Sequence, residues 1–205
     1  MLLVNNISFN RNNREVLKDI NLSLSPKQII YLKGNNGAGK TTLLKILSNF
    51  LEPQKGEIFW NGKNIKKNIF NFYKDLTFIM DSQTSNPNLT ILENITFWQK
   101  LFSSKIKNSE INLTLELLAL DQYKNKQTSC LSSGEIKKLE LIRLVIEKKK
   151  LWLLDEPYLG LDQTSIEIIN QTIISHVNLN GMVIFTSHIT PNIPNLEVLS
   201  LERYA

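Results

Sequence analysis

Four clusters in this chain of 205 residues have the types and spacing for chemistry on a phosphate. The first is Gly34-Asn35-Asn36-Gly37-Ala38-Gly39-Lys40-Thr41-Thr42, the pattern GxxxxGK[ST] set between an apolar run and a helical one. Glycines there let successive backbone N–H groups turn inward as an anion nest, where larger side chains would collide with a phosphate. The helix that follows adds the partial positive charge of its N-terminus. In such a loop Lys40 reaches the outer phosphates of a nucleotide and the Thr41 hydroxyl ligates Mg²⁺. The second cluster is Asp155-Glu156, closing the apolar run Leu151-Trp152-Leu153-Leu154. Two carboxylates at the carboxyl end of a buried strand stand where open α/β sheets bind ligands. Asp155 is suited to hold Mg²⁺ through its water shell, and Glu156 to act as general base on an attacking water.

The third cluster is Thr186-Ser187-His188, after Met182-Val183-Ile184-Phe185. A lone histidine is ordinarily structural. Here a third strand delivers its polar residues at the same kind of end, which assigns His188 to a γ-phosphate contact. The fourth is Leu131-Ser132-Ser133-Gly134-Glu135, some twenty residues before the acid pair. Ser132 as N-cap and Glu135 at N3 make a capping box. Gly134 leaves that helix N-terminus bare enough to approach a phosphate.

These clusters need a scaffold that brings strand ends together. Strands are expected at Leu2–Phe9, Val16–Leu24, Gln28–Lys33, Ile58–Trp60 (before an Asn61-Gly62 turn), Leu76–Met80, Leu151–Leu154, Met182–Thr186 and Leu196–Leu201. Helical periodicity follows Gly39, through Leu43, Leu44, Ile46 and Leu47. It returns over Ser109–Leu120, from Leu131 to about Lys149, and over Gln163–Val177. Thr90-Ile91-Leu92-Glu93 is a second capping box, ahead of Ile95, Trp98, Leu101 and Phe102. Alternating strands and helices predict an α/β fold with a mainly parallel sheet and helices on both faces. The helical stretch of about residues 84–135 then forms a subdomain inserted at one side of a single domain spanning 1–205.

Composition narrows the class. A hydrophobic fraction of 42% and a charged fraction of 21% are globular values, which excludes disordered and collagen-like chains. No apolar run approaches the ~18–20 residues of a membrane span, and the opening Met1–Phe9 lacks the pattern of a secretory leader. The net charge of +5 is spread over short runs such as Lys66-Lys67, Lys137-Lys138 and Lys148-Lys149-Lys150, which read as solvated faces and not as a nucleic-acid footprint. Cys130 reads as a small buried apolar residue, His176 as an exposed helix residue and Phe9 as core.

The clusters together resemble the ATP-binding cassette ATPases along the whole chain. The glycine loop is similar to Walker A, Leu151–Glu156 to Walker B, Leu131–Glu135 to the signature LSGGQ, Gly160-Leu161-Asp162 to the D-loop, and His188 to the switch histidine. The resemblance implies a P-loop NTPase (RecA-like) core with N-terminal antiparallel strands and an inserted helical subdomain. It implies ATP and Mg²⁺ as cofactors, Lys40, Glu156 and His188 as catalytic residues, and Thr41 and Asp155 at the metal. It also implies head-to-tail pairing with a second copy, in which Ser132 and Gly134 touch a nucleotide held by the partner's Lys40. A glutamine after the strand Leu76–Met80 belongs to the same pattern, with a part in catalysis and at the metal. Gln83 is the candidate, and Ser82 takes that column if no gap is allowed.

The signature departs from the family at Ser133 and Glu135, where Gly and Gln are usual. Arg11 stands where an aromatic usually stacks on adenine, and its guanidinium plane can take that place. Leu151–Asp162, Thr186–His188 and Leu89–Trp98 are similar to the haem-exporter ATPase subunits of cytochrome c maturation. That likeness implies transmembrane permease subunits as partners, no nucleic acid, and a peripheral location at the cytoplasmic face of the inner membrane, or the matrix side in an organelle. The alternatives are the ATPase of another short exporter for drugs or lipids, or a cassette acting on ribosomes or DNA. Members of the last kind usually carry a second cassette or a coiled-coil insertion, and neither is present here.

Overall fold

The structure, a computed structural model, describes residues 1–12 and 14–201. Two sheets divide the strands. In the first, β1 (Leu2–Arg11) lies between β2 (Arg14–Leu24) and β4 (Lys55–Trp60), antiparallel to both. Asn61 and Gly62 both have positive φ (50° and 75°) and turn β4 back into the short β5 (Lys63–Asn64), as a two-residue hairpin turn requires. The second sheet has the order β6-β7-β8-β3-β9. It comprises β3 (Ile29–Lys33), β6 (Leu76–Ile79), β7 (Leu151–Leu154), β8 (Met182–Thr186) and β9 (Leu196–Ser200), and every pairing is parallel.

The central strands β7 and β8 are buried at every residue, the signature of a parallel sheet covered on both faces. On one face Leu153 and Ile184 meet α1 (Lys40–Leu47) through Leu43, Leu44 and Leu47, with Leu17 and Ile20 of the antiparallel sheet closing that core. On the other face Trp152, Leu154 and Phe185 pack with α5 (Ser133–Glu147) and α6 (Gln163–Asn178), and with α3 (Ile91–Leu101) and α4 (Asn108–Leu117) beyond them. Both expected capping boxes form: Thr90 with Glu93 opens α3, and Ser132 with Glu135 opens α5. Among the described residues no helix is long and apolar enough to cross a membrane.

One helix, α2 (Ile69–Asp75), was not expected, because Ile69-Phe70-Asn71-Phe72 gives no helical period. It buries Phe72 and leaves Phe70 83% exposed. Three side-chain expectations are corrected. Cys130 is exposed, because in its 3₁₀ turn Thr128 takes the inward position and donates to the Leu89 carbonyl. Lys137 is 6% exposed and not solvated. His176 is no free surface residue: its ring stacks on Trp152 at 3.6 Å and 4°. Its Nε2 lies 3.2 Å from the Lys150 carbonyl, and burial pushes its pKa down to about 4. Phe9 is partly buried against the core.

Candidate active site

The glycine loop links β3 to α1. Gly37 and Gly39 take φ of 86° and 92°, the left-handed region that other residues enter at a cost. Gly39 is also confined by space, since a Cβ there would sit 2.9 Å from Leu17 Cδ2. As N-cap of α1 it offers no side-chain cap, so the first N–H groups of the helix keep their capacity for an anion. Lys40 is folded over the loop, its Nζ donating to the carbonyls of Gly34 (2.6 Å) and Asn35 (3.2 Å). A Cβ on Gly34 would lie 3.0 Å from that of Ala38.

The ends of β7 and β8 meet this loop. Asp155, 2% exposed, accepts on one oxygen from the hydroxyls of Thr41 (3.1 Å) and Thr186 (2.9 Å). Thr186 in turn accepts the Glu156 N–H at 2.8 Å. Sequence reasoning passed over Thr186, whose place beside His188 was the only signal available. Glu156 has φ of 48°, a conformation that non-glycine residues adopt mostly at functional turns. The turn directs its carboxylate at His188, whose backbone N–H donates to Glu156 Oε2 (3.1 Å) and whose Nε2 lies 3.5 Å from Oε1. Behind them the Tyr31 hydroxyl donates to the Ser187 carbonyl, and burial followed by the Glu156 charge raises its pKa.

Of these groups Thr41, Glu156 and His188 border one cavity of about 610 Å³, within the range of small-molecule sites. Asn36, Gly37, Gly39, Lys40, Thr41 and Thr42 line its floor, and Asp81, Glu156 and His188 line one side. Arg11, Asn12, Arg14 and Val16 line the mouth. Gln83 is not brought here. It borders a neighbouring cavity of about 370 Å³ and donates to the Ser85 carbonyl and hydroxyl, both at 3.1 Å. β6 ends at Ile79, and it is Asp81, closer to the strand end than Gln83, that stands at the cavity edge. Ser82 is exposed and does not line the cavity.

Ser132 and Gly134 also lie outside it. The Ser132 hydroxyl donates to Glu135 Oε2 at 2.8 Å, and this capping, led by the Ser132 N–H, lowers the Glu135 pKa. Gly134 has a steric reason for being glycine besides the one expected: a Cβ there would lie 2.5 Å from the Gly160 carbonyl oxygen.

A set of α5 side chains that no local pattern marks ties down residues 81–85. Lys137 Nζ is 3.6 Å from Asp81. Glu140, 3% exposed, accepts the N–H groups of Thr84 (2.8 Å) and Ser85 (2.6 Å) and the Thr84 hydroxyl. Arg143 donates to Glu147 (2.8 Å) and to Thr84 Oγ1 (3.1 Å). Burial raises the Glu147 pKa, against the pull of Arg143.

A family model described as "ABC transporter" matches residues 17–159. The chain is 36% identical over 195 residues to the cytochrome c biogenesis ATP-binding export protein CcmA of Reclinomonas americana, covering 94% of this chain and 86% of that protein. It is 35% identical over 202 residues to ABC transporter I family member 1 of Arabidopsis thaliana, covering 98% and 87%. Among solved structures, an ABC transporter ATP-binding protein from Pyrococcus furiosus superposes with a TM-score of 0.85 at 25% identity, over 100% of this chain and 98% of that one. A nucleotide-sized cavity floored by a glycine loop, a family match over most of the chain and relatives aligned along nearly all of it lead to one conclusion: the chain belongs to the ABC transporter family, as one of its ATP-binding and ATP-hydrolysing subunits.

Proposed function

We propose that this chain is the ATPase subunit of a membrane complex for cytochrome c maturation, the haem-exporter type. The relatives' names support the process. The observation that carries the chemistry is the convergence of Lys40, Thr41, Glu156 and His188 on one cavity, with Asp155 hydrogen-bonded to Thr41 just behind its lining. In this reading the N–H groups of residues 34–42 and the Lys40 ammonium hold the phosphates of ATP. Arg11 stands at the base end.

Mg²⁺ fits the donor set, because Thr41 Oγ1 and Asp155 Oδ1 are hard oxygen donors 3.1 Å apart. That ion typically takes only one or two protein ligands, with water and phosphate completing its shell. When bound it would neutralise charge on the outer phosphates. Glu156 accepts the proton of the attacking water, and His188, hydrogen-bonded to that carboxylate through its own N–H, keeps it oriented.

Ser132 and Gly134, outside the cavity, are assigned to the nucleotide of a second copy, and the paired chains act on transmembrane permease subunits. The location is then peripheral, at the cytoplasmic face of an inner membrane or its organellar equivalent. Titration of Lys40→Ala with a nonhydrolysable ATP analogue tests the cavity. Heat of binding is expected to vanish, and an affinity equal to wild type overturns the assignment. Co-purification of integral membrane proteins with the tagged chain tests the partners, and recovery of RNA or DNA in their place overturns them.

A further inference from the structure

Residues 61–74 carry four lysines, Lys63, Lys66, Lys67 and Lys74, and no acidic residue. All four are exposed. Among the described residues Lys66 pairs with Glu52, whereas Lys63, Lys67 and Lys74 have no carboxylate within ion-pair distance. The four stand on consecutive elements: Lys63 in β5, Lys66 and Lys67 in the 3₁₀ turn Ile65–Asn68, and Lys74 in α2.

The same segment holds aromatic rings out of the core. Phe70 is 83% exposed and Tyr73 45%. With Lys74 they follow the spacing i, i+3, i+4, which places all three on one face of α2. Phe72 is turned away from them: it is fully buried and packs edge-on against Trp60, with ring centroids 6.0 Å apart. The core thus anchors the helix through one aromatic residue while another stands in water. Single exposed apolar residues are ordinary. Here two rings and three unpaired ammonium groups fall within one short segment.

We propose that Phe70 and Tyr73, with Lys63, Lys67 and Lys74 around them, form a contact surface for anionic lipid headgroups, so that the chain binds the bilayer itself in addition to any protein partner. The inference builds on the peripheral membrane location proposed above. Aromatic rings on an interfacial helix enter the boundary between headgroups and acyl chains, and lysine stems lie along it with their ammonium groups among the phosphates. Four lysines in a cluster meet the usual measure of such a surface, and each strengthens attachment about fivefold. A single strand of nucleic acid also takes lysines and aromatic rings, but in a basic groove that tracks its backbone. The hollow next to Tyr73, about 280 Å³, contains none of these lysines, and its one guanidinium, that of Arg143, is bound to Glu147. The charge lies instead on the exposed positions of a hairpin, a turn and a helix, which suits an extended anionic surface.

The test is flotation of the full chain with protein-free vesicles, either of phosphatidylcholine alone or of phosphatidylcholine and phosphatidylglycerol in equal parts. The wild type is expected to bind the anionic vesicles about tenfold or more tightly than the neutral ones, and to lose that preference at high salt. Lys67→Gln/Lys74→Gln is expected to weaken binding to the anionic vesicles about 20-fold. Phe70→Ser, at a position too exposed to matter for folding, is expected to weaken it about tenfold. Lys27→Gln/Lys124→Gln removes the same charge from exposed positions outside the segment and is expected to bind like wild type. Equal binding to both kinds of vesicle overturns the proposal. So does a control pair that loses as much as the Lys67/Lys74 pair, since net charge alone would then explain the attachment, or a Phe70→Ser protein that binds like wild type. Single-stranded RNA that displaces the chain from anionic vesicles assigns the face to nucleic acid and overturns it as well. Because the vesicles hold no permease, the two readings fail separately. Recovery of membrane proteins with a chain that ignores lipid defeats only the lipid surface, and lipid binding without such recovery defeats only the partner assignment.

Discussion

Replacing His176 with Gln isolates a pH dependence built into the far side of the sheet. Burial against Trp152 holds this imidazole at about 4, against an ordinary value of 6.5. A folded-state pKa below the unfolded one means that the unfolded chain takes up the proton first, so acid favours unfolding. Stability is untouched above pH 6.5 and falls as the pH drops through the window from 6.5 to 4. At about 1.4 kcal/mol per pH unit the full window is worth about 3 kcal/mol, and about 2 kcal/mol has been lost by pH 5. Partial exposure of the ring reduces that to about 1–2 kcal/mol. Urea denaturation at pH 7.5 and pH 5 measures it. The wild type is expected to lose about 1–2 kcal/mol more than His176→Gln over that interval, or roughly 2–8 °C in melting temperature for a chain of this size. The variant starts lower, having lost the stacking. Only the difference between the two drops counts, because Glu147 and other carboxylates titrate in both proteins. Equal drops would refute the burial argument.

Glu156→Gln keeps the shape of the carboxylate without its basicity, and turnover is expected to fall about 10²–10⁴-fold with ATP affinity retained, as steady-state hydrolysis beside equilibrium binding will show. Gly134→Ala puts a methyl group 2.5 Å from the Gly160 oxygen, and denaturant unfolding should register a loss of about 1–3 kcal/mol. Thr186→Val strips one hydrogen bond from buried Asp155 and leaves the Glu156 N–H without its acceptor. Calorimetric melting should show a loss of about 1–3 kcal/mol, and hydrolysis should fall with it.

What could be read in advance was whatever chemistry is local in the chain. The glycine loop, the two capping boxes and the acid pair each lie within a few consecutive residues, and each takes the expected position in the structure. The parallel sheet was legible too, from continuous apolar runs spaced by helical ones. The remainder depends on contacts between distant residues. Glu140 is separated from Thr84 by 56 residues, and nothing in the pattern of α5 distinguishes it from the charged residues of a solvated helix face. Lys137 was misjudged for the same reason, because a lysine pair reads as surface until a partner such as Asp81 is seen. Gln83 was chosen by residue type, whereas Asp81 reaches the cavity because the chain leaves β6 at Ile79. The second demand on Gly134, the close crossing with the Gly160 backbone, was likewise invisible, because it joins two segments distant in the chain.

The buried Glu140 also decides which parts of the molecule travel together. To slide residues 84–85 away from α5 would abandon a desolvated carboxylate that now takes two N–H groups and a hydroxyl, and each such bond left unmade costs about 1–3 kcal/mol. Although this segment follows a core strand in sequence, it is riveted to the helical layer. Asp81 faces the same helix, 3.6 Å from the Lys137 ammonium, and the chain between β6 and the segment fixed by Glu140 is only residues 80–83. A movement of α5, at whose N-terminus Ser132 lies, therefore carries residues 84–85 with it and reaches the cavity edge at Asp81 through a few residues of chain.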